Sequence, residues 1–289
     1  MTDRRPTTAF VLGGGGVLGA TQIGSLRALF ERDIRPDLVV GTSIGAVNGA
    51  FVAANPSVEG LDDLAGTWSH LTSVRGIFEK STRSASMSST GKRRSRVRAG
   101  RLRTHVYAAG SFLRLLREEL PVTTFEELAV PFQCVAASVE RSVAHWFSSG
   151  PLAEGVLASC AVPGLFPPIK VGDEHFFDGG LVHSIPVGRA VQLGAERIYV
   201  LHVGRVEQPL APPRWPWEVG QVAFEIARRH RYMEEIATLP ATVEVTVLPS
   251  GTDDAPTMSL LHLNRAFVQR RIESAYDAAA RHLDEHPLP

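Results

Sequence analysis

Short apolar runs alternate with longer helical patterns from the beginning of the chain. Apolar runs at residues 9–12 and 38–40 predict two buried strands, and helical patterns follow them over 20–32 and 44–54. Strands that alternate with helices usually pair in parallel, because a helix carries the chain back to the start of the sheet. The order therefore predicts a parallel sheet with helices packed on it.

The rest of the chain continues this alternation with less regular spacing. Residues 58–80 have a mixed helix and loop pattern. Further strands are predicted at 131–138, 175–178, 197–203 and 242–248, and further helices at 111–120, 151–161, 187–193, 214–238 and 264–282. A chain of 289 residues forms one large domain or two small ones, and we predict a single α/β domain over 7–289.

Composition and charge restrict the class of protein without identifying a partner. The formal net charge is zero and 44% of the residues are hydrophobic, as in an ordinary globular protein. Cys134 and Cys160 lie in apolar surroundings, which predicts two buried free thiols rather than a disulfide. The polar residues 1–8 lead directly into a strand, and no apolar run approaches the ~18 residues of a membrane span. We predict a cytoplasmic or membrane-peripheral protein without a signal peptide.

One segment, residues 81–104, differs in composition from the rest of the chain. It is rich in Ser, Thr and Arg, and we predict a mobile basic insertion within the domain. A solvated loop without a role and contact with an anionic membrane are about equally favoured, since each basic residue near such a surface contributes ~1 kcal/mol. Nucleic acid is less favoured, because no aromatic residue interleaves the run over 92–103. The predicted membrane contacts are Lys92, Arg93, Arg94, Arg96 and Arg98.

Two glycine-framed turns follow the first two predicted strands. The first is the glycine-rich run over 13–19, and the second, 41–45, fits G-x-S-x-G with Ser43 at its centre. A serine on a sharp strand-to-helix turn stays exposed at the edge of a sheet, and flanking glycines allow the close backbone approach. A glycine-rich turn nearby offers backbone N–H groups to an oxyanion. Together they indicate acyl-transfer chemistry at Ser43.

These turns also allow other interpretations. Gly14, Gly16 and Gly19 also fit the dinucleotide fingerprint G-x-G-x-x-G, which needs an acidic residue at the end of the second strand. Here that strand leads into Gly41 and Ser43 instead, so nucleotide binding is disfavoured. A glycine turn that only packs a helix, and a serine that only caps one, remain alternatives.

A serine nucleophile needs a base, and the chain offers an unusual one. Among the ten histidines, His202 ends a predicted strand, but nothing around it singles it out. Asp178 ends another predicted strand and precedes two glycines that allow a tight turn. Apolar neighbours such as Phe176 and Phe177 are expected to raise its pKa and make it a general base. The alternative for Asp178 is an ordinary turn-forming residue.

The glycine loop, G-x-S-x-G and Asp-Gly-Gly in this order resemble the patatin-like phospholipase family. The resemblance covers about 8–55 and 130–205, and includes the small-residue and proline stretch at 158–168. It implies a three-layer α/β/α sandwich with a mostly parallel central sheet. It also implies hydrolysis of lipid acyl esters through an acyl-serine intermediate, without a metal or organic cofactor. The implied roles are Ser43 as nucleophile, Asp178 as general base, and Gly14, Gly15 and Gly16 as oxyanion hole.

The sequence also departs from that family. Leu18 stands where many members carry Arg or Lys, and His183 stands where Asn is frequent. An Asp and a Thr-Gly pair that are frequent near 138–141 are missing. These differences bear on substrate preference and rate. Two alternatives therefore stay open: an acyltransferase with the same dyad, and a catalytically idle module that binds a lipid or a polyanion.

Overall fold

A computed structural model describes residue 5 and residues 7–73, 108–203, 209–251 and 265–286. The predicted basic insertion at 81–104, with its predicted membrane contacts, lies outside these residues.

Eight strands in the described ranges form one sheet. They are β1 (Thr8–Leu12), β2 (Leu38–Thr42), β3 (Phe132–Ser138), β4 (Ala144–Phe147), β5 (Ile169–Val171), β6 (Glu174–Asp178), β7 (Arg197–Leu201) and β8 (Glu244–Val247). The order is β5-β6-β3-β2-β1-β7-β8, with β4 also paired to β3. The neighbours in the series β3-β2-β1-β7-β8 pair in parallel. The pairs β3–β4, β3–β6 and β5–β6 are antiparallel. The predicted mostly parallel sheet is confirmed, with an antiparallel edge that the sequence did not predict.

Eight helices are described around the sheet. They are α1 (Thr21–Phe30), α2 (Ile44–Ala54), α3 (Val58–Ser73), α4 (Ala109–Glu119), α5 (Leu152–Ser159), α6 (Val187–Gln192), α7 (Pro216–Ala237) and α8 (Arg265–Glu285). Short 3₁₀ helices include Gly16–Ala20 and Gly179–Leu181. All the predicted helices are present, and their ends differ from the predictions by a few residues.

The two faces of β1 show how the layers are arranged. Phe10 and Leu12 pack into a large core with α1 to α5 and α8, whereas Ala9 and Val11 pack into a smaller core with α6 and α7. A parallel strand that is buried on both faces is apolar throughout, which explains the unbroken apolar run in the sequence. The three-layer α/β/α sandwich is therefore confirmed.

The register of the central strands brings the two glycine turns together. Leu12 of β1 pairs with Gly41 of β2, so both strands end at the same edge of the sheet. The glycine-rich loop follows the first strand and the serine turn follows the second. This edge, at the carboxyl ends of the parallel strands, is where open α/β sheets usually bind ligands.

Candidate active site

Ser43 occupies a strained turn between β2 and α2. Its φ is 55° and its ψ is −125°, in a region that non-glycine residues rarely adopt. A Cβ at Gly41 would lie 2.4 Å from the carbonyl oxygen of Gly45, and one at Gly45 would lie 2.2 Å from that of Leu12. Both glycines are therefore required by close backbone packing, and the predicted elbow is present.

The hydroxyl of Ser43 donates a hydrogen bond to Asp178 at the end of β6. The distance from Oγ to Oδ2 is 2.6 Å, and the two residues are 9% and 2% exposed. The other carboxylate oxygen, Oδ1, accepts the N–H of Gly180 at 2.7 Å, while the Asp178 N–H donates to the carbonyl of Ala161 at 2.9 Å. Asp178 is thus fixed on three sides, and it faces the hydroxyl of Ser43.

Burial raises the pKa of Asp178 to about 6 from an ordinary value of 3.8. The hydrogen bonds from the Ser43 hydroxyl and the Gly180 N–H act in the opposite direction, because they stabilise the charged carboxylate. The raised pKa agrees with the expectation from the apolar neighbours. A carboxylate with a pKa near neutrality can both accept and return a proton.

The glycine loop lies directly beside the serine. A Cβ at Gly14 would be 3.2 Å from the Cβ of Ser43, and one at Gly15 would be 2.5 Å from that of Val203. The N–H of Gly14 donates to the carbonyl of Ser184 at 3.0 Å. Of the three predicted oxyanion donors, Gly14 is therefore already engaged within the protein, and Gly15 and Gly16 remain as candidates.

A buried network of hydrogen-bonded polar side chains contacts the start of the glycine loop. Gln22 donates to the carbonyls of Gly13 and Leu201, both at 2.9 Å. Asn48 donates to Gln22 at 2.7 Å and accepts the indole N–H of Trp68 at 3.0 Å. Sequence reasoning missed these residues. The available signal was weak: Asn48 is the one polar side chain in the otherwise apolar α2, whereas α1 carries Gln22 among other polar residues.

The two histidines named in the sequence analysis, His183 and His202, do not accept the hydrogen bond of the Ser43 hydroxyl. The hydrogen bond of the Ser43 hydroxyl is accepted by the carboxylate of Asp178, not by His202. The Nδ1 of His183 lies 2.6 Å from Oε1 of Glu235 on α7. The backbone carbonyl of His183 accepts a hydrogen bond from the Thr42 hydroxyl at 2.7 Å. His183 therefore links the serine turn to a neighbouring helix.

A cavity of about 100 Å³ opens at Ser43. Its wall is mostly apolar, with Thr67 and Glu119 as polar members joined by a 2.8 Å hydrogen bond. The apolar wall includes Val17, Ile44, Val47, Phe51, Phe112, Leu115, Leu116, Val162, Leu165 and Phe166. Such a surface, reached from the serine, suits an alkyl chain.

Both cysteines are buried free thiols, as predicted. Burial raises the pKa of Cys134 and of Cys160, so both stay protonated and unreactive at neutral pH. Cys160 contributes to the wall of the cavity. In the described ranges no group of three His, Cys, Asp or Glu side chains is arranged to hold a metal ion.

The fold and the site define an α/β protein of the serine-elbow class, with a carboxylate rather than a histidine bonded to the serine. A family model described as Patatin-like phospholipase matches residues 10–191. The chain belongs to the patatin-like phospholipase family.

Relatives with similar sequences come from animals, fungi and bacteria. A human patatin-like phospholipase domain-containing protein 6 is 30% identical over 205 residues, 70% of this chain and 14% of the relative. An uncharacterised NTE family protein of Mycobacterium bovis is 30% identical over 66% of this chain and 47% of its own length. Lysophospholipase nte1 of Aspergillus terreus is 28% identical over 70% of this chain and 12% of the relative. This chain therefore corresponds to less than half of each relative.

A solved structure with the same fold is VipD from Legionella pneumophila. The TM-score is 0.51 at 16% identity, and the match covers 98% of this chain and 67% of VipD. The likeness concerns the fold alone.

Within the described part of the chain, every helix is too short or too polar to cross a bilayer.

Proposed function

We propose that this protein hydrolyses acyl esters of lipids, with Ser43 as nucleophile and Asp178 as general base. The observation that carries the proposal is the 2.6 Å hydrogen bond between their side chains, with Ser43 in the wall of an apolar cavity. Membership of the patatin-like phospholipase family supports the lipid substrate. No metal or organic cofactor takes part in the proposed reaction.

The proposed cycle has two halves, which share one base. Asp178 accepts the proton of Ser43 as Oγ attacks the acyl carbonyl, and the N–H groups of Gly15 and Gly16 stabilise the oxyanion. Asp178 then gives its proton to the departing alcohol, leaving an acyl-serine. In the second half Asp178 takes a proton from water, which attacks the ester, and the proton returns to the departing Oγ. The fatty acid leaves and the dyad is restored.

The cavity is the proposed binding site of the acyl chain. Each methylene group buried there contributes about 0.8 kcal/mol, so an apolar wall favours a long chain over a short one. We infer that the substrate class includes lysophospholipids, and the name of the Aspergillus relative, a lysophospholipase, supports this.

Contact with an anionic membrane stays a prediction, because Lys92, Arg93, Arg94, Arg96 and Arg98 lie outside the described residues. One described feature supports a lipid-facing surface. Trp215, just before α7, is 56% exposed, and tryptophan favours the boundary between water and lipid.

Product analysis tests the proposed reaction. With palmitoyl lysophosphatidylcholine and added glycerol, we expect free fatty acid as the main product, and a higher rate on anionic than on neutral vesicles. Mass spectrometry of the extracted lipids measures both. Monoacylglycerol as the main product would instead identify an acyltransferase. Binding of the lipid without any product, from folded protein, would identify an idle lipid-binding module.

We expect activity to fall on the acid side of about pH 6. Only the ionised form of Asp178 accepts a proton, and its pKa is about 6. Below that value kcat/KM for a soluble ester should decrease by about tenfold per pH unit. Steady-state rates between pH 4 and 9 measure this, and the residual activity of Asp178→Asn, which lacks the titrating group, is the control. A wild-type rate that is constant from pH 4 to 7 would exclude Asp178 as the base.

A further inference from the structure

A buried ion pair on α7 lies next to the glycine loop. The Nη2 of Arg228 is 2.9 Å from Oε2 of Glu225, and both side chains are only 6% exposed. The Nε of Arg229 lies 3.5 Å from the same carboxylate. Burying charges is costly, and an apolar replacement of a buried pair is often neutral or stabilising. The position of this pair therefore calls for a reason other than stability.

The second guanidinium nitrogen of Arg228 reaches the loop beside the nucleophile. Its Nη1 donates to the carbonyl oxygen of Gly14 at 3.5 Å, at the long end of hydrogen-bond distances. The N–H of Gly14 donates to the carbonyl of Ser184 at 3.0 Å, and a Cβ added at Gly14 would lie 3.2 Å from that of Ser43. Gly14 is thus contacted through both its donor and its acceptor, and the group at the acceptor is a guanidinium cation whose other Nη atom is paired with Glu225.

The chemistry of the peptide group connects this charge to the site. The carbonyl of Gly14 and the N–H of Gly15 belong to one planar amide, in which the nitrogen lone pair is delocalised onto the oxygen. A cation at the oxygen increases that delocalisation and makes the N–H a stronger donor. The effect is larger in a buried site, where the effective dielectric constant is low.

We propose that Arg228 is a positioning residue for the oxyanion site: it fixes the peptide between Gly14 and Gly15 and polarises it, so that the Gly15 N–H binds the oxyanion more strongly. Glu225 accepts a hydrogen bond from Nη2 of Arg228 and so holds the guanidinium beside the carbonyl of Gly14. This inference rests on the proposed ester hydrolysis.

The same helix offers a matched control. Arg229 carries the same charge, contacts the same carboxylate of Glu225 and differs in position by one residue. Arg228→Met removes the cation at Gly14. The double change Glu225→Gln with Arg228→Met also removes the buried carboxylate, which keeps the test valid if the single change lowers stability.

The experiment compares two ligands in wild type, Arg228→Met, Arg228→Lys, Arg229→Met and the double variant. An alkyl trifluoromethyl ketone adds the Ser43 oxygen and forms a tetrahedral alkoxide that resembles the oxyanion. The matching alkyl ether has no carbonyl and reports ground-state binding. Steady-state kinetics with a soluble ester and thermal melts are measured in parallel.

Because the donor is weakened and not removed, we expect kcat to fall by about 10- to 100-fold in Arg228→Met and in the double variant, with KM within twofold. The inhibition constant of the ketone should rise by the same factor, and that of the ether should not change. Arg228→Lys should recover part of kcat, and Arg229→Met should stay within twofold of wild type.

The inference is overturned if kcat stays within threefold of wild type in Arg228→Met, or if ketone and ether lose affinity equally. Equal losses in Arg229→Met would also overturn it, because they would assign the effect to the stability of α7. A folded wild type that neither hydrolyses esters nor binds the ketone would contradict the proposed hydrolysis itself, which is a separate outcome.

Discussion

Ser43→Ala is expected to abolish lipid ester hydrolysis, with kcat/KM lower by about 10⁴-fold or more. The alanine keeps the Cβ and leaves the cavity open, so the change removes only the attacking oxygen and its hydrogen bond to Asp178. Binding of a lysophospholipid should therefore persist. Fatty-acid release measured by mass spectrometry, together with a binding titration, separates loss of chemistry from loss of binding.

A second serine provides the control for the backbone strain. Ser142 has a φ of 56°, almost equal to the 55° of Ser43, and it lies in the turn between β3 and β4. Ser142→Ala also places an alanine at a positive φ without touching the dyad, and it should keep wild-type activity. Substantial hydrolysis by purified Ser43→Ala would show that another group attacks the ester.

Asp178→Asn is expected to lower activity by about 10³-fold and to stabilise the protein at the same time. The asparagine cannot accept the proton of Ser43, yet it needs no desolvation of a charge. A folded pKa of about 6 against an ordinary 3.8 corresponds to roughly 3 kcal/mol of unfavourable free energy for the ionised carboxylate. Removing the charge is expected to stabilise the variant by about 1–3 kcal/mol. The gain is smaller than the full penalty because a neutral amide forms a weaker hydrogen bond with Ser43 than a carboxylate does.

The dependence of unfolding free energy on pH tests whether the charge of Asp178 destabilises the wild type. Above about pH 6 both the folded and the unfolded wild type carry an ionised Asp178, and the full penalty is present. Below the ordinary value of 3.8 both states are protonated and the penalty is gone. Urea unfolding at pH 8 and pH 4 should therefore show a stability advantage of the variant that is largely lost at pH 4, close to the ordinary pKa of 3.8. An advantage of equal size at both pH values, or a less stable variant at pH 8, would contradict the burial argument.

Much of the central fold was predictable because its sequence patterns are local. β1 and β2 are unbroken apolar runs, since each strand is buried on both faces, and glycine turns follow them. β4 and β5 were missed because they have four and three residues, too few for a periodicity. Their place in the sheet depends on pairing with β3 and β6, which no local pattern encodes.

The candidate site was predictable only in part. Ser43 and Asp178 were found because each lies in a glycine turn with its own signature, although their contact depends on the antiparallel pairing of β6 with β3. The engagement of Gly14 with Ser184 was not foreseen, since the two residues are far apart in the chain. The contact between Arg228 and the carbonyl of Gly14 was also not predicted, because the two residues are far apart in the chain and Arg228 lies in a helix with many charged residues.

Labelling with a fluorophosphonate, followed by peptide mass spectrometry, tests the central claim most directly. The probe reacts with a serine oxygen only where a base and an oxyanion site activate it. We expect a single adduct on the peptide that contains Ser43, no adduct in Ser43→Ala, and a much slower reaction in Asp178→Asn. No adduct in folded wild type, or an adduct on another residue that persists in Ser43→Ala, would contradict the dyad.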